Sequence, residues 1–447
     1  MDTYQIWLVT VLVSSIALII LTIVKFKLHP FLSLLLSSFY VGLCLQMKPL
    51  DILNAIENGI GGTLGFLATV IGLGTILGKM IEVSGAAEKI GLELQKSRFL
   101  SADVIMVIIG MLCGITLFVE VGVVLLIPLA FSIAKKSNVS LFNLAIPLCT
   151  ALMAVHCIVP PHPAALYVTN ALGADIGKVI LYGLLLGLSV SLIGGPIFLR
   201  LVKSRIPFKK VPDEFSELKV REESELPSLS SSLFTIFLPI ALMLTKTVAD
   251  LNHLDKSTAF YTLLEFIGNP ISAMFIATFV AYYVLGIKRH MSMSTLLSKT
   301  EDCFSSIANI LLIIGAGGAF NGILKASGLS EGLATILANL DTHPILLAWL
   351  VAIILHAAVG SATVAMMGAT AIVSPLLALY PDISPEIITL AIGSGAIGCT
   401  IVTDSLFWLV KQYCGATMNE IFKYYTSATL IASICALGGT FLLSYVI

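Results

Sequence analysis

Apolar stretches long enough to cross a membrane recur along the whole chain. A bilayer core is crossed by about 20 helical residues, and runs of roughly that length lie at residues 4–24, 28–47, 60–81, 102–118, 121–134, 142–159, 176–202, 233–250, 265–286, 304–325, 345–360, 362–379, 386–402 and 424–446. Only 11% of the residues are charged and the mean hydropathy is +1.01, whereas soluble domains carry about 25% charged residues. The sequence therefore predicts an all-α polytopic membrane protein.

Basic residues collect in alternate connections between these stretches. Lys and Arg are frequent in the segments 25–27, 89–98 and 203–210, whereas the connection 251–264 is poor in them. The positive-inside rule places the basic connections in the cytoplasm and, by alternation, both termini outside. The formal net charge of -1 gives no indication of a nucleic-acid partner.

The two halves of the chain share a spaced pattern of small residues and one acid. Gly72, Gly74, Ser84, Gly85 and Glu88 are matched, each 243 positions later, by Gly315, Gly317, Ser327, Gly328 and Glu331. The charge pattern runs the two copies through the membrane in opposite directions. Inverted repeats of this kind are the architecture of many secondary transporters, with the binding site at the interface between the repeats.

The repeat divides the chain into five parts. Scaffold helices are predicted at residues 1–59 and 233–303, and the inverted repeats at 60–202 and 304–447. A polar stretch at 203–232 separates the halves and is predicted to be a cytoplasmic linker, for which a solvated loop without chemistry is the simplest interpretation.

A proline-rich stretch interrupts the apolar run that ends near residue 159. Pro160, Pro161 and Pro163 remove backbone donors and exclude a regular helix. Non-helical backbone at membrane depth occurs only inside the protein or beside a wet cavity. His156 and His162 lie in this break, and imidazoles titrate near neutral pH. They suit proton coupling, although histidines that only pack and hydrogen-bond are the alternative; a metal site needs more ligands than this stretch offers.

An isolated acid lies between two further apolar stretches. Glu120 has no basic residue within ten positions, and an unpaired charge at membrane depth is costly. It must therefore be paired in the fold, hydrated in a cavity, or protonated. Each of these states suits a proton carrier or a ligand for a substrate amine. A carboxylate at a hairpin tip in water is the alternative.

Two polar interruptions follow in the second half. His356 precedes a turn with Gly360, Ser361 and Thr363, where small residues allow close approach of the backbone and hydroxyls and helix amides can receive a carboxylate. Close helix packing is the alternative. The second interruption holds Thr403, Asp404 and Ser405, and Asp404 is the predicted partner of a substrate ammonium. It could instead cap the next short helix.

Together these interruptions predict two re-entrant hairpins and two broken helices around one polar site. By the repeat, residues 120–122 correspond roughly to 359–361, and the break at 156–163 to that at 400–405. The substrate-binding candidates are His162, Ser361, Thr363, Thr403, Asp404 and Ser405, and the proton-coupling candidates are Glu120, His156 and Asp404. No nucleotide-binding motif is present, so an ion gradient is the expected energy source, with no cofactor and no metal.

These motifs resemble the gluconate:proton symporter family, within a larger superfamily of inverted-repeat ion transporters. The likeness covers essentially the whole chain and rests on Phe118-Val-Glu-Val-Gly122, Val159-Pro-Pro-His-Pro163, Gly360-Ser-Ala-Thr-Val-Ala365 and Asp404-Ser-Leu-Phe-Trp408. The resemblance implies a homodimer with a scaffold domain and a mobile transport domain, surrounded by lipid in the bacterial inner membrane. It also implies proton symport.

Two departures from the family pattern concern the substrate. This chain has Pro163-Ala-Ala where gluconate carriers tend to have Pro-Gly-Pro, and Thr403-Asp-Ser-Leu406 where they tend toward Asn-Asp-Pro-Gly. The departures favour an amino-acid branch of the family, which residues 24–30 and 406–414 also resemble. Import of D-serine with protons is therefore expected. Symport of gluconate or another sugar acid is the alternative; a membrane-embedded enzyme lacks a nucleophile–base pair here, and a channel lacks a filter signature.

Overall fold

Helices form every regular element in the part of the chain that the structure describes. The structure is a computed structural model, which describes residues 3–97, 99–137, 139–202, 206, 221–329, 343–374, 377, 380 and 382–446. The prediction of an all-α fold is confirmed for these residues.

Ten α-helices lie among the described residues of the first half of the chain. They are α1 (Thr3–Val24), α2 (Pro30–Cys44), α3 (Pro49–Ser84), α4 (Ala86–Gln95), α5 (Ala102–Gly114), α6 (Val119–Ser137), α7 (Phe142–Ile158), α8 (Pro163–Ala171), α9 (Ile176–Leu192) and α10 (Phe198–Val202). A π-helical turn at Ile193–Ile197 joins the last two. Prolines start α2, α3 and α8, where the missing N–H costs nothing and the fixed φ suits the first turn.

The second half follows a similar order after a short 3₁₀ turn at Glu223–Glu225. Its α-helices are α11 (Leu229–Leu251), α12 (Ala259–Gly268), α13 (Pro270–Ala281), α14 (Met293–Ala326), α15 (Pro344–Val359), α16 (Ala362–Val373), α17 (Pro385–Ile397), α18 (Ser405–Tyr413), α19 (Met418–Glu420) and α20 (Ser427–Ser444). Tyr282–Gly286 and Ile421–Thr426 are π-helical, and Ile287–Arg289 is a 3₁₀ turn.

Eight helical stretches among the described residues are long and apolar enough to cross a membrane. They are Ile6–Ile23, Pro49–Ser84, Phe142–Ala171, Ile176–Val202, Leu229–Leu251, Pro270–Arg289, Ile307–Ala326 and Met418–Ser444. The other predicted stretches are shorter helices, because polar turns end them before they reach the length of a bilayer core. Two such pairs, α5–α6 and α15–α16, have the form of the predicted re-entrant hairpins.

The order of helices repeats along the chain. The helices α3, α5, α6, α7 and α8 are matched by α14, α15, α16, α17 and α18, each starting about 243 residues later. By this register Glu120, the second residue of α6, corresponds to Thr363 in α16, four positions beyond the correspondence expected from the sequence. The small-residue pattern has the same offset of 243 positions, so the correspondence of 120–122 with 359–361 was wrong by about one helical turn.

The long helices α3 and α14 cross in opposite directions. A Cβ added at Gly322 would lie 2.7 Å from the carbonyl oxygen of Ala55, one at Gly59 would lie 2.4 Å from that of Gly318, and one at Gly315 would lie 3.0 Å from Leu64. Residue numbers therefore fall along α14 as they rise along α3. This agrees with the predicted inversion. The division at 59/60 and 303/304 stays a prediction, and both points lie within continuous helices.

The end of the linker packs on α4. Residues 203–205 and 207–220 of the predicted linker lie outside the described residues. Beyond them, Arg221 Nη1 donates to Val83 O at 2.9 Å, and Glu223 accepts from Lys89 at 2.8 Å and from Lys96 at 2.9 Å. The two ammonium groups lower the pKa of Glu223 to about 2. This part of the linker is attached to the helices rather than free in solvent.

Candidate functional site

Four interruptions of the helices meet at one place. They lie between α5 and α6, α7 and α8, α15 and α16, and α17 and α18. Ser405 Oγ donates to Glu120 Oε1 at 3.2 Å, which joins the first hairpin to the second broken helix. Thr363 Oγ1 lies 3.2 Å from His156 Nε2, which joins the second hairpin to the first broken helix. These two contacts join both hairpins to both broken helices, as the predicted convergence requires.

The tip of the second hairpin needs a glycine. Gly360 ends α15 in the left-handed conformation with φ 73°, which residues with a Cβ adopt at a cost. A Cβ there would lie 2.1 Å from the carbonyl oxygen of Thr403. The turn therefore presses directly on the second broken helix. Ser361 then caps α16, accepting weakly from Val364 N at 3.4 Å.

A cavity of about 270 Å³ lies among the interruptions. Its lining consists of Phe118, Val119, Glu120, Met153, His156, Asn309, Ile310, Ile313, Gly360, Ser361, Ala362, Thr363, Asp404, Ser405 and Leu406. No lysine or arginine is among these described lining residues. The volume is slightly below the range of roughly 300–1,000 Å³ typical of drug-sized ligands, so the cavity suits a small polar molecule.

A larger cavity adjoins this one. It measures about 670 Å³ and shares Phe118 and Glu120 with the smaller cavity. Lys79, Glu82 and Asp302 lie on its wall. We call it the vestibule. It lies at the end of α3 beside α4, on the side that the charge pattern predicts to be cytoplasmic.

Glu120 stands at the junction of the cavity and the vestibule. Its side chain is exposed to this space and lines both cavities. Its Oε1 accepts a hydrogen bond from Ser405 Oγ. Of the three states considered for this acid, the geometry favours hydration, because the carboxylate faces the open space of the vestibule.

Asp404 is the N-terminal cap of α18 and also contacts a histidine. Its Oδ1 accepts from Leu406 N at 2.7 Å, and its Oδ2 lies 2.9 Å from His356 Nε2. The other ring nitrogen of His356, Nδ1, lies 2.6 Å from Gly398 O. His356 is fully buried, and Asp404 is 5% exposed. The capping role foreseen as the alternative for Asp404 is present, together with a buried partner.

The two histidines of the first break form a pair behind the cavity. His156 Nδ1 lies 3.1 Å from His162 Nε2, and only His156 lines the cavity. Within the described part of the chain His162 Nδ1 has no hydrogen-bond partner. It borders a space of about 20 Å³, near Thr75 and Thr116, a volume slightly above the minimum that holds one water.

Six of the eight predicted site residues line the cavity. They are Glu120, His156, Ser361, Thr363, Asp404 and Ser405. His162 reaches it only through His156, and Thr403 donates instead to Ala357 O at 3.1 Å. Sequence reasoning missed Asn309, one of two asparagines in the apolar part of α14, which could have been noticed by its polarity alone.

Helix starts also shape the electrostatics of the site. The helices α6, α8, α16 and α18 all begin at the interruptions. Each helix N-terminus carries about half a positive charge and unpaired N–H groups. Their convergence favours an anionic group, such as a carboxylate, in a site without basic side chains.

The sequence model of GntP family permeases matches residues 6–446. The chain belongs to this family. It is 75% identical over 443 residues to the D-serine transporter DsdX of Escherichia coli K12, which covers 99% of both chains. It is 41% identical over 443 residues to the gluconate permease of Pseudomonas aeruginosa, which covers 98% of both. The family predicted from the sequence motifs is confirmed, and the chain is a multi-pass permease of the bacterial inner membrane rather than an enzyme.

Two solved transporters share the fold at low identity. MtrF of Neisseria gonorrhoeae, from a class of antimetabolite efflux pumps, matches with a TM-score of 0.67 and 15% identity over 89% of this chain and 85% of its own. The YdaH transporter of Alcanivorax borkumensis matches with a TM-score of 0.56 and 16% identity over 87% of both chains. The predicted transporter fold is confirmed by these similarities, which concern architecture alone.

Proposed function

We propose that this GntP family permease imports D-serine, driven by the proton gradient. The observation that carries the proposal is the 75% identity to the D-serine transporter DsdX over nearly the whole chain. The cavity is consistent with it, because it is small and combines a carboxylate, hydroxyls and helix N-termini, with no lysine or arginine among its described lining residues. A zwitterion needs both an anion and donors for its carboxylate, and this lining supplies both.

In this proposal the substrate carboxylate binds at the start of α16. Ser361 and Thr363 lie at the cavity wall in the first turn of that helix, where the N–H groups and dipole favour an anion. Ser405 on the opposite wall is within reach of the substrate hydroxyl. These roles follow the predicted assignments, with Thr403 and His162 one layer further from the cavity.

Proton coupling is proposed because titratable groups cluster at the interruptions. Glu120, His156 and Asp404 line the cavity, and His356 contacts Asp404. Protonatable side chains at a substrate site allow substrate binding to depend on protonation, and protonation to depend on substrate binding. The proposed assembly, by the family resemblance, is a homodimer whose scaffold domains hold two mobile transport domains in the lipid bilayer.

Gluconate is the second candidate substrate. The 41% identity to a gluconate permease favours it, and hydroxyls of the cavity could bind a sugar acid. Gluconate is longer than serine and has no ammonium, so it leaves a buried anionic partner unpaired in a site built for an amine. The cavity of about 270 Å³ therefore favours the smaller zwitterion.

Uptake by reconstituted protein tests the proposal. Purified permease in liposomes is given labelled D-serine, L-serine or gluconate, with and without an inward proton gradient, and empty liposomes are the blank. We expect D-serine to accumulate only with the gradient and a protonophore to abolish accumulation. Uptake that follows a sodium gradient and ignores the protonophore would contradict proton coupling, and preference for gluconate would contradict the substrate.

A further inference from the structure

His356 and Asp404 hold one proton between them. A carbonyl oxygen can only accept, so the 2.6 Å contact of His356 Nδ1 with Gly398 O places a proton on Nδ1. Nε2 then faces Asp404 Oδ2 at 2.9 Å. Without a proton in that contact, two lone pairs would oppose each other. The contact therefore carries one proton, either as imidazolium and carboxylate or as imidazole and carboxylic acid.

This proton neutralises Asp404. Each oxygen of the carboxyl has a hydrogen-bonded partner, Leu406 N for Oδ1 and His356 for Oδ2. The pair as a whole is neutral in either description, and it is buried. A substrate ammonium gains little from a carboxyl whose charge is already compensated.

Glu120 differs in each of these respects. It faces the cavity and the vestibule, and it accepts a hydrogen bond from a neutral hydroxyl, that of Ser405. No lysine or arginine is among the described residues that line the cavity. Glu120 is therefore the exposed carboxylate that an ammonium can reach from the vestibule.

We propose that Glu120 binds the substrate ammonium and that the His356–Asp404 pair carries the coupled proton. Glu120 was expected to couple protons, and Asp404 was expected both to bind the ammonium and to couple protons. The inference rests on the proposed D-serine symport and assigns the substrate ammonium and the coupled proton to two separate places. His356, a histidine without an assigned role in the sequence prediction, becomes part of the proton site.

The two places are mechanically connected. Asp404 caps α18, so its proton-dependent contact with His356 sets the position of the start of that helix. The next residue, Ser405, donates to Glu120 across the cavity. Loss of the proton breaks the contact of Asp404 with His356, which moves Ser405 relative to Glu120. Release of the proton and release of the ammonium are thereby linked.

Other titratable groups surround the pair on the elements packed against it. They are Glu120 on α6, His156 and Cys157 on α7, His162 in the first break, Cys399 in the second break, and Tyr425 before α20. None of these is as close to Asp404 as His356, whose hydrogen bond to it is direct.

Two isosteric variants distinguish the two assignments. Asp404→Asn keeps the cap of α18 through its amide oxygen and can donate to His356 through its amide nitrogen, so it imitates the protonated pair permanently. Glu120→Gln keeps shape and removes the charge that an ammonium needs. Glu265→Gln, an exposed acid on α12, is the matched control.

The measurements are D-serine binding to purified protein, D-serine counterflow in liposomes, and acidification of the lumen when D-serine is added. For Asp404→Asn we expect D-serine affinity within about threefold of wild type and preserved counterflow. Acidification and gradient-driven accumulation are lost. For Glu120→Gln we expect the dissociation constant to rise by about 10- to 150-fold, as for a lost hydrogen bond to a charged group.

The opposite pattern would overturn the inference, namely lost affinity in Asp404→Asn together with normal affinity and lost coupling in Glu120→Gln. If Asp404→Asn does not fold, His356→Gln tests the same pair. With the imidazole gone, the buried carboxyl keeps its proton because an unpaired buried charge is costly, so accumulation is lost and counterflow persists. Retained accumulation would exclude the pair as the proton site.

Failure of the proposed function gives a different result. A wild type that moves D-serine without protons excludes proton coupling and the role of the pair, whatever the variants do. The affinity of Glu120→Gln still decides the ammonium partner in that case. A wild type that does not bind D-serine contradicts the substrate proposal before any variant is compared.

Discussion

The site is built from residues whose cost in a membrane is offset by particular neighbours. His356 is buried completely and has a partner for each ring nitrogen. Thr363 and Ser405 each join a hairpin to a broken helix. A polar side chain at membrane depth is tolerated when such hydrogen bonds replace those it would make to water. The same contacts fix the shape of the cavity.

Thr363 and Thr403 offer a matched pair for testing which hydroxyls bind substrate. Thr363 lines the cavity, whereas Thr403 donates to Ala357 O outside it. We expect Thr363→Val to weaken D-serine binding about tenfold or more, because a hydrogen bond to a charged carboxylate contributes roughly 1.5–3 kcal/mol. Thr403→Val should bind normally. Equilibrium binding of labelled D-serine measures both, and equal losses would show that the cavity lining does not define the site.

The sequence predicted single residues better than it predicted their partners. Glu120 and His156 could be found because a titratable group inside an apolar stretch is expensive and therefore conspicuous. The contact of His356 with Asp404 spans 48 positions and depends on how α15 packs against α17. Thr403 was expected in the cavity because Asp404 and Ser405 follow it in the sequence. Its side chain instead points to Ala357 O, to which it donates a hydrogen bond.

At the scale of elements, short helices matter more than spanning ones. The sequence predicted the polar interruptions from proline, glycine and hydroxyl residues, and the structure has interruptions at the same four places. Their lengths were harder to predict. The helix α3 begins at Pro49, well before the predicted apolar stretch at 60–81. The helix α5 ends at Gly114, before the predicted end at residue 118, where Ile115 and Leu117 are buried. Apolar composition alone does not reveal where such packing ends a helix.

The glycine at the tip of the second hairpin gives a prediction at this scale. We expect Gly360→Ala to lower thermal stability and abolish transport, because the left-handed conformation costs roughly 1–2 kcal/mol for an L-residue and the new Cβ collides with the backbone at Thr403. Gly173→Ala separates the two effects, since Gly173 has φ 69° but no neighbour within 4 Å of a Cβ. Melting temperature and D-serine uptake are the measurements. Equal effects of the two variants would show that the collision with Thr403 is relieved.

At the scale of the whole molecule, helices of each half pack against helices of the other half. The helix α2 of the first half packs on α14 of the second, and α13 of the second packs on α3 of the first. The hairpins behave alike, with α6 against α18 and α16 against α8. Each half thus completes the other, and the cavity lies where the four interruptions meet. Among the described residues the cavity shares its lining with a vestibule on the predicted cytoplasmic side, an arrangement expected of one conformation in alternating access.

The side to which the vestibule opens provides the last prediction. Val124 lines the vestibule and is 48% exposed, and the charge pattern places that side in the cytoplasm. A Val124→Cys variant should therefore react with a membrane-impermeant maleimide in inverted vesicles and remain unlabelled in right-side-out vesicles. Lys256→Cys, in the exposed connection 251–264 on the predicted outer side, should show the reverse. Wild-type labelling of the native cysteines is the blank.

If Val124→Cys reacts from the outside while Lys256→Cys reacts from the inside, the predicted orientation is wrong and the vestibule opens outward. If D-serine with a proton gradient protects Val124→Cys in the inverted vesicles, the vestibule is the path that closes during transport.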